Sequence, residues 1–230
     1  MDLTRREFLG YTAAATGLVG LPLPQPASVA SADSKVDRWR VFVVYDRVNS
    51  ESFWGYTRTL PKARQLFSAD ESDSISCCSL VIVPDVVLLD PRFSWALVRA
   101  LQRGASVVIE TGVGFASHST FRHHRRSLRE GLQIPVGAPV DLWADRPKAR
   151  APYIEFTWPH RTTIRDFSRV VPPADRPGDD VIAWAGDLAV AFRRRVGNGT
   201  LIYLGSPVGP ALWAGDVEAR RWLNAVALAA

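Results

Sequence analysis

Three acids stand where apolar runs end. Asp46 follows Arg40-Val41-Phe42-Val43-Val44-Tyr45, Asp85 follows Ser79-Leu80-Val81-Ile82-Val83-Pro84, and Glu110 closes Ala105-Ser106-Val107-Val108-Ile109. If each run is a strand of one parallel sheet, all three sit at strand carboxyl ends, where open α/β sheets bind ligands. Carboxylates converging on one crevice repel one another, which favours a bound cation, an arginine or a raised pKa. His118, His123 and His124, three of the chain's four histidines, follow within seven residues of sequence. Carboxylate plus imidazole is the donor set of a divalent-metal shell. Asp46, Asp85, Glu110 and His118 are therefore the candidate ligands if any metal is held; no cofactor is expected, with a divalent metal as the one alternative. Thr111 and Gly112 join them as ligand-binding candidates, because Thr111-Gly112-Val113-Gly114 could present backbone amides to an anion. That loop lacks the third glycine and the lysine of phosphate-binding fingerprints, so a tight turn is its simpler use. Asp46 and Asp85 can equally cap turns. His123 and His124 lie in Arg122-His123-His124-Arg125-Arg126, a basic helical stretch that reads as a solvated face, and adjacent helical residues point about 100° apart. Ser206 lies in Leu204-Gly205-Ser206-Pro207, not in a G-x-S-x-G elbow, and no histidine follows it.

The elements that would position these groups read β-α-β-α-β-α. The continuous apolar runs suit central parallel strands covered on both faces. Residues 51–68 have a helical pattern broken at Pro61. Asp90-Pro91 opens the second helix, with Asp as N-cap and Pro in the first turn, and Phe93, Leu97, Val98 and Leu101 form its apolar face before Gly104 closes it. A basic helix over about 121–130 ends at Gly131. Short connections between these elements imply right-handed crossovers and helices on both faces of the sheet. The second half changes character. Tyr153 to Trp158, Val181 to Trp184, Leu188 to Arg194 and Thr200 to Leu204 read as strands. Ala185-Gly186-Asp187 and Val196-Gly197-Asn198-Gly199 turn the last three into an antiparallel meander. A final helix begins near Asp216 and buries Ala219, Trp222, Leu223 and Val226. The expected fold is α/β: a flavodoxin-like three-layer sandwich with a mostly parallel sheet and a carboxyl-terminal antiparallel meander.

The chain has 230 residues and a formal charge of +5, with lysine only at Lys35, Lys62 and Lys148 among its 28 cationic side chains. The arginines are interspersed with carboxylates, so nothing demands nucleic acid or a membrane surface. Residues 1–32 resemble a twin-arginine export signal. Arg5-Arg6 precedes Phe8-Leu9, a weakly apolar stretch runs from Tyr11 to Leu23, and Ala30-Ser31-Ala32 offers small-x-small cleavage. The stretch is short for a membrane span of ~20 apolar residues. The expected organisation is a signal at 1–32 and a domain at 33–230, with the twin-arginine translocase as a partner and a periplasmic or extracellular, prokaryotic address. Cys77 and Cys78, the only cysteines, are adjacent and cannot form an ordinary disulfide; both read as thiols at the start of a buried strand.

Leu80-Val81-Ile82-Val83-Pro84, Leu88-Leu89-Asp90 and Arg103-Gly104-Ala105-Ser106-Val107-Val108 together resemble the strand-helix-strand core of the class I glutamine amidotransferase-like superfamily. The resemblance includes the non-catalytic middle domain of bacterial β-galactosidases. Arg195-Val196-Gly197-Asn198-Gly199-Thr200-Leu201-Ile202-Tyr203-Leu204-Gly205 is similar to the closing hairpin of that group. The likeness covers roughly residues 38–230. Catalytic members carry a cysteine in a tight turn after a buried strand and a late His-x-Glu pair. The corresponding turn here, Ile109-Glu110-Thr111-Gly112-Val113-Gly114, has no cysteine, and no histidine follows His160. The resemblance thus implies the fold and argues against glutaminase chemistry. The resulting expectation is an exported, non-catalytic domain that binds a ligand, such as a carbohydrate, or a partner protein. Trp143, Trp158, Trp184 and Trp213 are candidate stacking platforms for a sugar, with core filling as their default use. The alternatives are a metal-assisted hydrolase using Asp46, Asp85, Glu110 and His118, and an oligomerisation module, since the similar β-galactosidase domain mediates oligomer contacts.

Overall fold

Apolar strands that cannot leave a face to solvent build the centre of the molecule. The computed structural model describes residues 41–44, 50–66, 74–75, 78–112, 117–142, 153–165 and 169–230. They fall within one unit, Asp37–Ala230, and the expected export signal lies outside them. In chain order the strands are β1 (Val41–Val44), β2 (Arg64–Leu66), β3 (Leu80–Val86), β4 (Ser106–Thr111), β5 (Val140–Asp141), β6 (Tyr153–Phe156), β7 (Thr162–Arg165), β8 (Arg169–Val170), β9 (Asp180–Ala185), β10 (Leu188–Val196) and β11 (Gly199–Leu204). The helices are α1 (Ser50–Thr59), α2 (Pro91–Gln102), α3 (His118–Leu132), α4 (Gly209–Trp213) and α5 (Val217–Ala229). Nine strands form one mixed sheet in the order β2-β1-β3-β4-β11-β10-β9-β6-β7, and β5 pairs with β8 apart from it. The pairings from β2 to β11 are parallel, and those from β11 onward are antiparallel.

The fold is α/β, in three layers. Side chains alternate across each strand. Val107 and Ile109 of β4 pack with Phe93, Leu97 and Leu128 of α2 and α3. Val108 packs on the other side with Phe53 and Tyr56 of α1, Leu212 of α4 and Trp222 of α5. The meander is continuous with the parallel sheet rather than appended to it, because β11 pairs in parallel with β4 on one edge and antiparallel with β10 on the other. Among the described residues no helix is long and apolar enough to cross a membrane.

Local chemistry explains most boundaries. The Asp90 carboxylate accepts from the amides of Arg92 (2.8 Å) and Phe93 (3.1 Å), with Pro91 in the first turn, so α2 starts where the capping pattern requires. Gly104 takes φ +106° after its end, a conformation glycine adopts without Cβ strain. Asp216 caps α5 through Ala219 (2.9 Å).

Two expectations are corrected. The helical pattern over 51–68 stops at Thr59. Pro61 cannot donate and disfavours helical geometry at Leu60, and the chain re-forms as β2 beside β1. The basic helix α3 does not end at Gly131 but runs through Leu132 to Gln133, which holds φ +53°. Gly131 stays helical because α2 passes close by; a Cβ there would lie 2.5 Å from Ser94 Oγ. The Gln133 carbonyl accepts from Arg176 (2.6 Å) and Arg194 (2.9 Å), two cations at the negative end of the helix dipole. Arg194 also pairs with Asp179 at 3.2 Å, where burial pushes the carboxyl upward and Arg194 pulls it back.

Candidate functional site

The carboxyl end of β4 is the centre on which the sequence candidates were expected to converge. Glu110 points to the α1/α4 side and Thr111 to the α3 side, as the two-residue period of a strand dictates. Each enters a different buried network.

Glu110 is fully buried, as are Ser52 and Tyr56 beside it. Its Oε1 accepts from Ser52 Oγ at 2.5 Å. Its Oε2 accepts from Tyr56 Oη at 2.5 Å and from the amides of Val208 and Gly209 at 3.0 Å each. Burial pushes this carboxyl upward, and the Ser52 and Tyr56 hydroxyls, followed by the Gly209 and Val208 amides, pull it back down. Burial and the neighbouring carboxylate push the Tyr56 phenol well above its ordinary value, which keeps it a donor. Two glycines make this arrangement sterically feasible. A Cβ at Gly55 would collide with the Gly209 carbonyl, and one at Gly209 would collide with Ser52. Glu110 therefore ties β4, α1 and the start of α4 together, with donors on both oxygens.

Thr111 Oγ1 lies 2.9 Å from His124 Nε2, and His124 Nδ1 lies 3.0 Å from the Val87 carbonyl. A carbonyl only accepts, so Nδ1 carries the proton, Nε2 is bare, and the threonine hydroxyl donates to it. The ring is neutral and fully buried, and desolvation drives its pKa down to about 4. The expectation that His123 and His124 share a solvated face is half right. His123 is exposed, while His124, one helical step on, faces the sheet. The interior role of His124 was legible only from the phase of α3, since Leu128 and Leu132 recur at four-residue spacing from it and share its buried face.

The remaining candidates separate. Asp85 is buried near the end of β3 at φ +49°, against Gly112: a Cβ on Gly112 would lie 2.9 Å from Asp85 Oδ1. The Gly112 amide donates to the Val86 carbonyl at 2.8 Å, so it is not offered to an anion. His118 is exposed in the first turn of α3, which Ser117 caps by accepting from the Thr120 amide at 3.2 Å. Asp46 lies outside the described residues. Among the described residues no three His, Cys, Asp or Glu side chains are grouped to hold a metal. The proposed shell of Asp85, Glu110 and His118 is thus not assembled, because Glu110 faces away toward α1 and His118 faces solvent. Cys78 is buried before β3 and its thiol donates to the Ile75 carbonyl (2.7 Å), at the opposite end of that strand from Val87 and His124. Cys77 lies outside the described residues.

No family model matches this chain, and no curated protein matches it. Solved structures do. A β-galactosidase from Bacillus circulans sp. alkalophilus matches at TM-score 0.56 and 15% identity, covering 82% of this chain and 31% of that one. A β-galactosidase from Rahnella sp. R3 matches at 0.61 and 14%, covering 83% and 31%. A cytoplasmic protein from Salmonella typhimurium LT2 matches at 0.59 and 9%, covering 83% of this chain and 98% of that one. This chain spans about a third of the β-galactosidases it resembles, and nearly the whole of the small Salmonella protein. These likenesses establish the shared fold.

The described residues leave open surfaces on this fold. A groove of about 600 Å³ runs between α2 and α3, lined by Trp95, Val98, His123, Arg126 and Glu130 among others. Trp95 is 71% exposed and Leu88 at its mouth 61%. Trp95 was not singled out from the sequence, because exposure of an apolar residue on one helix depends on what its neighbours leave uncovered. The tryptophans that were singled out are dispersed. Trp158 carries the Arg193 guanidinium 4.9 Å from its ring and accepts from Trp222 Nε1 at its carbonyl, Trp184 is partly exposed on β9, and Trp213 is exposed with the Arg58 guanidinium 5.9 Å from its ring. Trp143 lies outside the described residues. A smaller depression of about 360 Å³ lies beside Arg176, Asp179 and Phe192.

Proposed function

We propose that this chain is an exported, non-catalytic binding module on an amidotransferase-like scaffold, with a carbohydrate as its ligand. The observation that carries the reading is Glu110. At the strand end where catalytic members of that group place their cysteine turn, this chain has a carboxylate with four donors and no solvent exposure. A group so engaged and so buried holds the fold together rather than facing a substrate. The solved β-galactosidases, together with an exo-β-1,4-mannosidase of the same fold at TM-score 0.54, give the carbohydrate its place in the proposal. The twin-arginine pattern at Arg5-Arg6 gives the export, through the translocase as partner. No metal or other cofactor takes part.

Two measurements test this. Replacing Arg5 and Arg6 by lysine in the full chain, expressed in a prokaryotic host, is expected to abolish its appearance outside the cytoplasm; unchanged export removes that half of the reading. Incubation with p-nitrophenyl β-galactoside, or with glutamine, is expected to give no turnover. Turnover that Glu110→Gln or Asp85→Asn abolishes would show a catalytic strand end instead.

A further inference from the structure

We infer that the groove between α2 and α3 is the saccharide site, with Trp95 as its stacking platform. This rests on the binding-module reading above and adds the place and the chemistry of recognition.

The two walls differ in kind. On α2, Pro91, Trp95 and Val98 follow at spacings of four and three residues and share one face. On α3, His123, Arg126, Ser127 and Glu130 do the same. One wall is thus apolar with an indole face open to solvent, and the other carries an imidazole, a guanidinium and a carboxylate. Between them the floor is closed and internally satisfied. Ser94 Oγ donates to the Asp90 carbonyl (2.9 Å). Ser127 Oγ donates to the His124 carbonyl (2.9 Å) and accepts from the Leu89 amide (3.2 Å). Gly131 lets the two helices meet beneath the groove, since any side chain there would strike Ser94. The groove is therefore preformed, and its volume lies within the ~300–1,000 Å³ usual for small-ligand sites.

A pyranose ring has the same two-sidedness: a C–H face that stacks on an aromatic and a rim of hydroxyls. Arg126 and Glu130 are planar groups able to engage neighbouring hydroxyls in pairs, one as donor and one as acceptor. Neither they nor His123 is tied up in an ion pair among the described residues. The opposite charges of Arg126 and Glu130 favour a neutral polyhydroxylated ligand over a phosphate or a nucleic acid, which would need an excess of cations. Trp95 offers its ring without losing core packing.

The test is native electrophoresis of the full chain in gels containing soluble β-1,4-galactan or β-1,4-mannan. Retardation of the wild-type chain in at least one gel is expected. Trp95→Ala and Glu130→Ala should each weaken it at least tenfold, while Trp95→Phe keeps part of it. Leu228→Ala, at an exposed side chain of α5 outside the groove, should leave it unchanged. Far-UV circular dichroism and the thermal midpoint of Trp95→Ala should match wild type. Wild-type retardation that survives in Trp95→Ala overturns the groove assignment and leaves the binding-module reading standing. No retardation of the wild type in either gel overturns both. A fall in particle mass on Trp95→Ala, read by light scattering, would show that a second copy of the chain covers the groove, and would overturn the saccharide assignment.

Discussion

The strand end around Glu110 and the groove beside Trp95 invert the usual division of labour in an open α/β sheet. At the carboxyl edge, where ligands ordinarily bind, the Glu110 carboxylate is engaged by the molecule's own donors. The flank, where helices ordinarily just cover the sheet, holds an open aromatic surface. The preference for strand ends arises because loops there leave backbone groups and a crevice uncovered. Here α4 folds back over α1 so closely that Gly55 and Gly209 are in contact, which closes the space between these two helices beside Glu110.

If this contrast is right, substitutions at the two places should differ in kind. The largest effect is expected from Glu110→Ala. It leaves two hydroxyls and two amides facing an empty, buried space, and about 3–5 kcal/mol of stability should be lost in urea denaturation. A loss below about 1 kcal/mol would show that water already reaches the site. Gly55→Val comes next. A side chain there must separate α1 from α4, at a cost of about 1–3 kcal/mol or more by the same measurement.

The histidine network predicts a pH dependence of definite sign. The folded state holds His124 at about 4 against an ordinary 6.5. Between these values the unfolded chain binds the proton and the folded one does not, so stability is full above pH 6.5 and falls as the pH drops toward 4. The contribution is about 3 kcal/mol. Glu110, raised by burial, acts in the opposite sense: its contribution is full below 4.5 and declines as pH rises through its folded value. The difference between wild type and His124→Gln cancels the Glu110 part. That difference should vary between pH 6.5 and 4 and be flat above; a flat difference throughout would mean that the imidazole is not held neutral.

How much of this the sequence disclosed depends on the range of the interaction involved. Continuous apolar runs and capping residues are local, and β3, β4, α2 and α5 were legible to within a residue or two. The Asp90-Pro91 start of α2 and the Asp216 start of α5 are the clearest cases. Pro61 marked a break correctly, but what followed, a three-residue edge strand, depends on β1 lying alongside to receive it. Gly131 looked like a helix end because its second use, letting α2 pass close by, is tertiary. At the site, the sequence placed Glu110 at a strand terminus correctly. It could not show which face the side chain took, nor that Ser52, Tyr56, Val208 and Gly209, up to 99 residues away, would converge on it. Asp85, Gly112 and Thr111 were placed near one another, while His118 and Glu110 were not joined. Trp95 carried no signal at all, because an indole on a helix is ordinarily core.

The smallest expected effect sharpens the contrast from the other side. Trp95→Ala should change stability by no more than about 0.5 kcal/mol, since the ring is mostly in water. A cost near that of Glu110→Ala would place Trp95 in the packing and leave the groove without a free platform.

The most direct measurement is an amide and indole map of the isotopically labelled full chain by NMR as β-1,4-galactobiose or β-1,4-mannobiose is added. A filled strand end and an open flank predict that one of these sugars shifts the Trp95 indole N–H and the amides of residues 88–98 and 123–131, while those of Gly112, Val208 and Gly209 stay in place. Shifts that begin at Gly112, Val208 and Gly209 and spare Trp95 would contradict it.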